Sequence, residues 1–255
     1  MPTQNKKVKT ILISQPEPEG KSPYSTLAKK HKVKIDFKHF MHVSEITAME
    51  FKEQKISILN HDAVIFTSKN AMDHYFGMIE KLRLRIPDFI KYFCVSEVIA
   101  HYLQNFITYR KRKIFTGEQS LASLIPVMQK HKESKFIFPC SDLLKNKKNI
   151  VLEESGLNYT KAQMYKVCCS DLSDLSDVKY DILVFFSPTG IKSLLENFPE
   201  FEQNDTRLAV FGPTTVKSVE DNGLRIDIEA PSKKAPSMLM ALDQYIKVAN
   251  KRVRK

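Results

Sequence analysis

The stretch best equipped for chemistry is A-V-F-G-P-T-T-V-K-S-V-E-D-N-G-L at 209–224. An apolar, strand-like run meets Gly212-Pro213-Thr214-Thr215, and a helix-like pattern follows to Gly223. A glycine lets a ligand approach the backbone, and the first N–H groups of a helix have no partner a turn behind them. Such an elbow can hold an anion. The phosphate-loop lysine and any G-x-G-x-x-G are absent, so nucleotide binding is not indicated. The same residues would also serve as an ordinary cap, with Thr214 or Thr215 accepting from the helix backbone.

Other reactive residue types are dispersed. Cys94, Cys140, Cys168 and Cys169 show neither C-x-x-C nor zinc-ligand spacing, which fits reduced core or strand residues. His31, His39, His42, His61, His74, His101 and His131 have no Ser or Cys partner in a triad arrangement. No metal or cofactor is therefore expected.

The chain of 255 residues carries 40 Lys+Arg against 29 Asp+Glu, a formal net charge of +11. That surplus calls for a polyanionic partner. Much of it sits in K-K-V-K at 6–9, Y-R-K-R-K-I-F at 109–115, K-N-K-K at 145–148 and K-V-A-N-K-R-V-R-K at 247–255. Terminal runs of this kind are usually solvated, and no aromatic-basic nucleic-acid motif accompanies them. A small polycarboxylate would attract the same charge. No apolar run approaches the roughly 20 residues of a membrane span, and the amino terminus lacks a signal peptide's apolar core, which predicts a cytoplasmic protein.

The elements that must position such an elbow follow from the periodicity. Ten short β-branched or aromatic runs recur at 9–14, 33–40, 63–68, 92–96, 108–115, 135–139, 163–168, 181–187, 207–212 and 225–230. Amphipathic patterns at 71–82, 98–106, 120–131, 190–198 and 237–249 separate many of them. Strands alternating with helices predict parallel sheets covered on both faces, and ten strands suit two five-stranded sheets. The halves also repeat. D-A-V-I-F-T-S at 62–68 aligns with D-I-L-V-F-F-S at 181–187, F-C-V-S at 93–96 with A-V-F-G at 209–212, and S-L-A-S-L at 120–124 with the start of S-M-L-M-A-L at 237–242. The separations are nearly constant, as an internal duplication requires.

The ordered set F-T-S-K-N-A-M, F-P-C-S-D-L-L-K-N, L-E-E-S-G-L-N-Y-T-K-A-Q-M-Y-K-V, F-F-S-P-T-G-I-K-S-L, A-V-F-G-P-T-T-V-K-S-V-E-D-N-G-L and A-P-S-K-K-A-P-S-M-L-M-A-L resembles the uroporphyrinogen-III synthase family over nearly the whole chain. The resemblance implies two flavodoxin-like, doubly wound α/β domains joined by a two-stranded linker. Residues 1–38 and 171–255 would form a discontinuous domain, 43–163 an inserted one, and 39–42 and 164–170 the connecting strands. It further implies a ligand cleft at the carboxyl ends of the strands.

The implied reaction is cyclisation of hydroxymethylbilane, a linear tetrapyrrole polycarboxylate, with inversion of the last ring and loss of water. It implies no cofactor, no nucleic-acid or membrane partner, and a monomer. Carried over to matching positions, the substrate-binding residues are Ser68, Lys69 and Asn70, then Ser187, Pro188, Thr189 and Gly190, then Gly212, Pro213, Thr214 and Thr215. Tyr165 matches the family's tyrosine near the second connecting strand, the candidate for assisting departure of the hydroxyl; it would equally serve as a wall residue. The resemblance departs at Ser14-Gln15-Pro16, where the family often has T-R-P, and at Cys94-Val95-Ser96-Glu97-Val98-Ile99, which lacks Gly, Pro and Thr. The 94–99 loop is excluded from the site for that reason. A tetrapyrrole-binding relative without turnover and a basic nucleic-acid-binding protein are the two alternatives.

Overall fold

The structure, a computed structural model, describes residues 6–108, 110–145, 150–176 and 179–252. The basic clusters at 109–115, 145–148 and 247–255 and the polar run at 171–177 lie partly outside the described residues. The chain begins with β1 (Thr10–Ile13), α1 (Pro23–His31), β2 (Lys34–Phe37) and β3 (Met41–Glu45). It continues through α2 (Ala48–Glu53), β4 (Ala63–Phe66), α3 (Lys69–Lys81), β5 (Lys91–Cys94), α4 (Glu97–Tyr102) and β6 (Ile114–Thr116). Next come α5 (Leu121–Gln129), β7 (Phe136–Ser141), α6 (Asp142–Lys145), α7 (Ile150–Glu154) and β8 (Tyr159–Cys169). It closes with β9 (Ile182–Phe185), α8 (Pro188–Asn197), β10 (Arg207–Phe211), α9 (Pro213–Asp221), β11 (Ile228–Ala230) and α10 (Met238–Arg252).

Two compact units result, Met1–His42 with Cys168–Lys255, and Val43–Val167. In the first unit the sheet order is β2-β1-β9-β10-β11, and all four pairings are parallel. That is the flavodoxin order, in which the chain winds one way from β1 and then the other. Side chains along each strand alternate between two cores. Ile11, Ile13, Ile182, Val184 and Ala209 pack with Leu27 of α1 and Leu242 and Ile246 of α10. Leu12, Leu183, Phe185, Leu208 and Val210 pack with Ile191 and Leu194 of α8 and Val219 of α9. A strand buried on both faces needs the continuous apolar runs seen in the sequence.

In the second unit the order is β3-β8-β7-β4-β5-β6. Ignoring β3, its strands run 3-2-1-4-5 in spatial position when β4 is taken as the pivot, so it too is doubly wound but departs from the flavodoxin order of the first sheet. It has six strands rather than five because β3 joins its edge, and β8 extends over eleven residues, well beyond the short connector expected at 164–170. The repeated aspartates do the same structural work in both halves. Asp181 accepts from the Lys9 and Thr10 amides at 2.7 and 2.9 Å, and Asp62 from the Lys135 amide at 2.7 Å. Each ties the start of one strand to its neighbour, at the end of the sheet opposite the strand-to-helix turns.

Candidate functional site

The three sequence-derived turns all lie where a parallel strand hands over to a helix, at the carboxyl ends of β4, β9 and β10. Ser68 caps α3: its backbone is extended and its Oγ accepts from the Ala71 amide at 3.1 Å. Lys69 and Asn70 follow on the exposed surface. The Lys69 ammonium lies 5.0 Å from the centroid of the Tyr102 ring, and the Tyr102 hydroxyl donates to Asp73 at 2.7 Å. This cation–π seat favours one placement for a lysine otherwise free to roam. That hydrogen bond to Asp73 is the main cause raising the Tyr102 phenol above its ordinary pKa.

Ser187 repeats the arrangement on α8, accepting from the Gly190 amide at 3.4 Å and meeting Met41 Sδ at 3.9 Å. Pro188 fills the first helical position, where its missing N–H is not needed. Thr189 is half-buried. Gly190 is buried, and a Cβ there would sit 3.0 Å from the Phe185 ring. The absence of a side chain at Gly190 is thus used in packing α8 against β9.

The 212–215 elbow is built differently. Gly212 is the N-cap of α9, with φ +86° and ψ 151°, a combination open essentially only to glycine, and α9 has no side-chain cap hydrogen bond. The capping role considered for Thr214 or Thr215 is therefore not the one they play. The Gly212 amide donates to the Ala230 carbonyl at 2.7 Å, and its carbonyl accepts from the Thr215 and Val216 amides, both at 3.1 Å. A Cβ built on Gly212 would meet nothing within 4 Å, so the mouth of the turn is open. Thr214 is exposed, and as the second residue of the helix its N–H has no carbonyl a turn behind it. Thr215 is fully buried, and its Oγ1 has no hydrogen-bond partner among the described residues. The two threonines, adjacent in sequence, thus differ completely in access. Lys233 and Lys234, both exposed, lie in the loop that leaves β11 just after Ala230, the residue that anchors Gly212. Sequence reasoning did not assign them to the site, although K-K in A-P-S-K-K-A-P-S marked a charged loop before a helix.

Tyr165 lies on β8, and the structure brings it to the Ser68 turn. The β7–β8 register slips between Cys140 and Ser141, so that Cys140 faces Gln163 while Ser141 faces Tyr165. A bulge of this kind re-aims side chains. Here it lets the consecutive residues Met164 and Tyr165 both be buried, at 1% and 7% exposure, where strict alternation would expose one of them. The Tyr165 hydroxyl lies close enough to Ser68 to feel its hydroxyl, and its ring stacks on His74 at 4.9 Å between centroids and 26° between planes. Burial raises the phenol's pKa, Cys140 and Asp142 add to the rise, and the Ser68 hydroxyl opposes it. The group is a neutral O–H donor at physiological pH. His74 had no signal in the sequence, because its partner is ninety-odd residues away on a strand whose register depends on the bulge.

Among the described residues, no cluster of three or more His, Cys, Asp or Glu could hold a metal ion, and no helix is long and apolar enough to cross a membrane. What the turns offer is exposed lysine, threonine hydroxyl and uncapped helix N–H for carboxylates, and a buried phenol for proton donation.

Comparison with known proteins bears on the family and the fold. The family model described as Uroporphyrinogen-III synthase HemD matches residues 38–240. The uroporphyrinogen-III synthetase structure from Helicobacter pylori is 19% identical with a TM-score of 0.57, covering 94% of this chain and 100% of that one. A mutant uroporphyrinogen III synthase structure from the extreme thermophile Thermus thermophilus is 14% identical with a TM-score of 0.50, covering 94% and 99%. At these identities the structures speak for the fold. No curated protein sequence gives a match.

Proposed function

The chain belongs to the uroporphyrinogen-III synthase family, and on that premise we propose how its own residues serve the family's reaction. The protein cyclises hydroxymethylbilane to uroporphyrinogen III, inverting the last ring and releasing water. Spontaneous closure leaves that ring uninverted, so the protein must hold the substrate in a folded form and assist departure of its hydroxyl.

In this reading the 212–215 elbow takes a substrate carboxylate on the Thr214 hydroxyl and amide, with Lys233 and Lys234 adding charge nearby. Ser187, Pro188 and Thr189 form a second carboxylate turn, and Gly190 shapes it by letting α8 pack close. Lys69 and Asn70 form a third. Tyr165 gives its proton to the leaving hydroxyl as the C–O bond breaks, so the hydroxyl departs as water. The first new C–C bond forms at the substituted carbon of the last ring, which carries no hydrogen. The bond from that carbon to its original bridging carbon then breaks and re-forms at the ring's unsubstituted carbon, which inverts the ring. The proton lost from the unsubstituted carbon balances reprotonation of the phenolate. The observation that carries the reading is the uncapped, open elbow at Gly212 beside a loop with two exposed lysines. In the same reading the inserted domain is 43–163, residues 1–38 and 171–255 form the other, 39–42 and 164–170 connect them, and the protein works as a cytoplasmic monomer without a nucleic-acid partner.

The test is product analysis with enzymatically generated hydroxymethylbilane and no added metal or nucleotide. The type III isomer should form faster than spontaneous type I closure; type I product alone, from folded protein, would reject turnover in favour of a tetrapyrrole-binding relative. Tyr165→Phe should lower kcat by roughly 10²-fold or more with little change in Tm, since the ring volume is kept. A rate within a few-fold of the parent would leave Tyr165 a wall residue.

A further inference from the structure

We propose that His74 is a positioning residue for Tyr165: stacked on the phenol ring, its imidazole holds the tyrosine hydroxyl at the cap of α3, where it can donate away from the protein. The inference rests on the reading of Tyr165 as proton donor. Ser68 and His74 are separated by about 9 Å along the helix axis at 1.5 Å per residue. Tyr165 meets both, its ring stacked on His74 and its hydroxyl near that of Ser68. The phenol therefore lies along the first turns of α3.

The direction of donation follows from the cap. Ser68 Oγ already accepts from the Ala71 amide. Its own hydrogen is then available for the Tyr165 oxygen, which would stabilise a phenolate as it develops. With that bond made, the Tyr165 hydrogen is left for a third partner. Ring rotation or tilt would undo this order, and the imidazole face opposes both. Burial lowers the pKa of His74 below its ordinary value, Glu45 and Asp73 act against that, and Lys81 acts with it. A neutral imidazole is a flat aromatic surface without a charge to perturb the phenol. Tyr75, the next residue, is engaged elsewhere with Phe66 and Phe76.

The experiment compares His74→Ala and His74→Phe, each in the parent and in the Tyr165→Phe background. His74→Ala should lower kcat about tenfold with KM and Tm nearly unchanged, because a small misplacement of a reacting group is enough to slow the step. His74→Phe, which keeps a ring in place, should restore kcat to within about twofold, and in the Tyr165→Phe background His74→Ala should add nothing further. Independent, multiplying losses, or a Phe variant as impaired as the Ala variant, would overturn the inference. A second readout does not depend on catalysis: the NMR ring resonances of labelled Tyr165 should shift in His74→Ala and return towards the parent in His74→Phe. Should Tyr165→Phe prove silent, the donor reading falls on its own, and resonances unmoved by His74→Ala would overturn the placement as well.

Discussion

The turn after β5 and the turn after β10 are counterparts in the internal repeat, yet they treat the start of a helix in opposite ways. After β5, Ser96 is extended and its Oγ accepts from the Ile99 amide at 3.4 Å; Glu97 and Val98 follow, both exposed. After β10, Gly212 replaces the serine, Pro213 the acid, and Thr214 the valine, and no side chain caps the helix. A serine cap spends one of the helix's free donors on the protein itself, and a glutamate at the first position answers its positive end and repels an anion. A glycine cap leaves those donors for a ligand. The same fold position is thus self-satisfied in one half and ligand-ready in the other.

Of the two turns, the mouth of the elbow gives the larger expected effect. Thr214→Val removes one hydrogen bond to a carboxylate while keeping shape, which should weaken substrate or transition-state binding by roughly 1.5–3 kcal/mol, tenfold or more. Thr215→Val removes a buried hydroxyl without a partner among the described residues; it should raise Tm slightly and affect binding less than Thr214→Val. Steady-state kinetics and thermal melts of the two variants side by side decide this. If both only lower Tm, the elbow is structural and resembles its counterpart after all.

At the capped turn the expectation reverses. Ser96→Ala should destabilise the fold by about 1 kcal/mol through loss of the cap and leave kcat and KM of the folded enzyme at parental values. A tenfold change in KM would show that the 94–99 loop binds substrate despite Glu97.

The smallest effect concerns a capping box away from both turns. Thr47 and Glu50 cap α2 reciprocally, and Lys166 pairs with Glu50 at 2.6 Å. The Lys166 hydrogen bond, then those from Thr47, hold the Glu50 carboxyl down at about 2, against an ordinary value of 4.5. A depressed folded-state pKa means the unfolded chain takes up the proton first as pH falls. The stabilisation is therefore present above about 4.5 and is lost between there and 2. Glu50→Gln should flatten the stability–pH curve in that window and leave it unchanged at neutral pH apart from a constant offset. An unaltered acid slope would show that solvent screens the pair completely.

Much of the frame was legible in the sequence because parallel strands buried on both faces leave continuous apolar runs, and Asp62 and Asp181 marked the repeat. The turns were legible for the same reason: a strand ending in Ser or Gly before a helical pattern has one place to go. What the sequence could not display was helix phase against a particular sheet, which buries Thr215 and exposes Thr214. Nor could it show the slipped register at Cys140/Ser141, which turns Tyr165 inward and brings it to His74. The connecting strand expected at 39–42 runs on as β3 to Glu45 and pairs with β8 as the sixth strand of the second sheet; that membership had no signal because β3 carries exposed as well as half-buried residues, without the apolar run of its neighbours.

The elbow's two amides, only two residues apart, belong to different dynamic worlds. The Gly212 N–H is locked onto Ala230 in the neighbouring strand, so its exchange with deuterium requires prising β10 from β11. The Thr214 N–H has no such tether and exchanges as fast as solvent allows. One peptide from this turn therefore carries both a clock for the sheet and a sensor for the ligand. Substrate or product bound there should slow the second without touching the first.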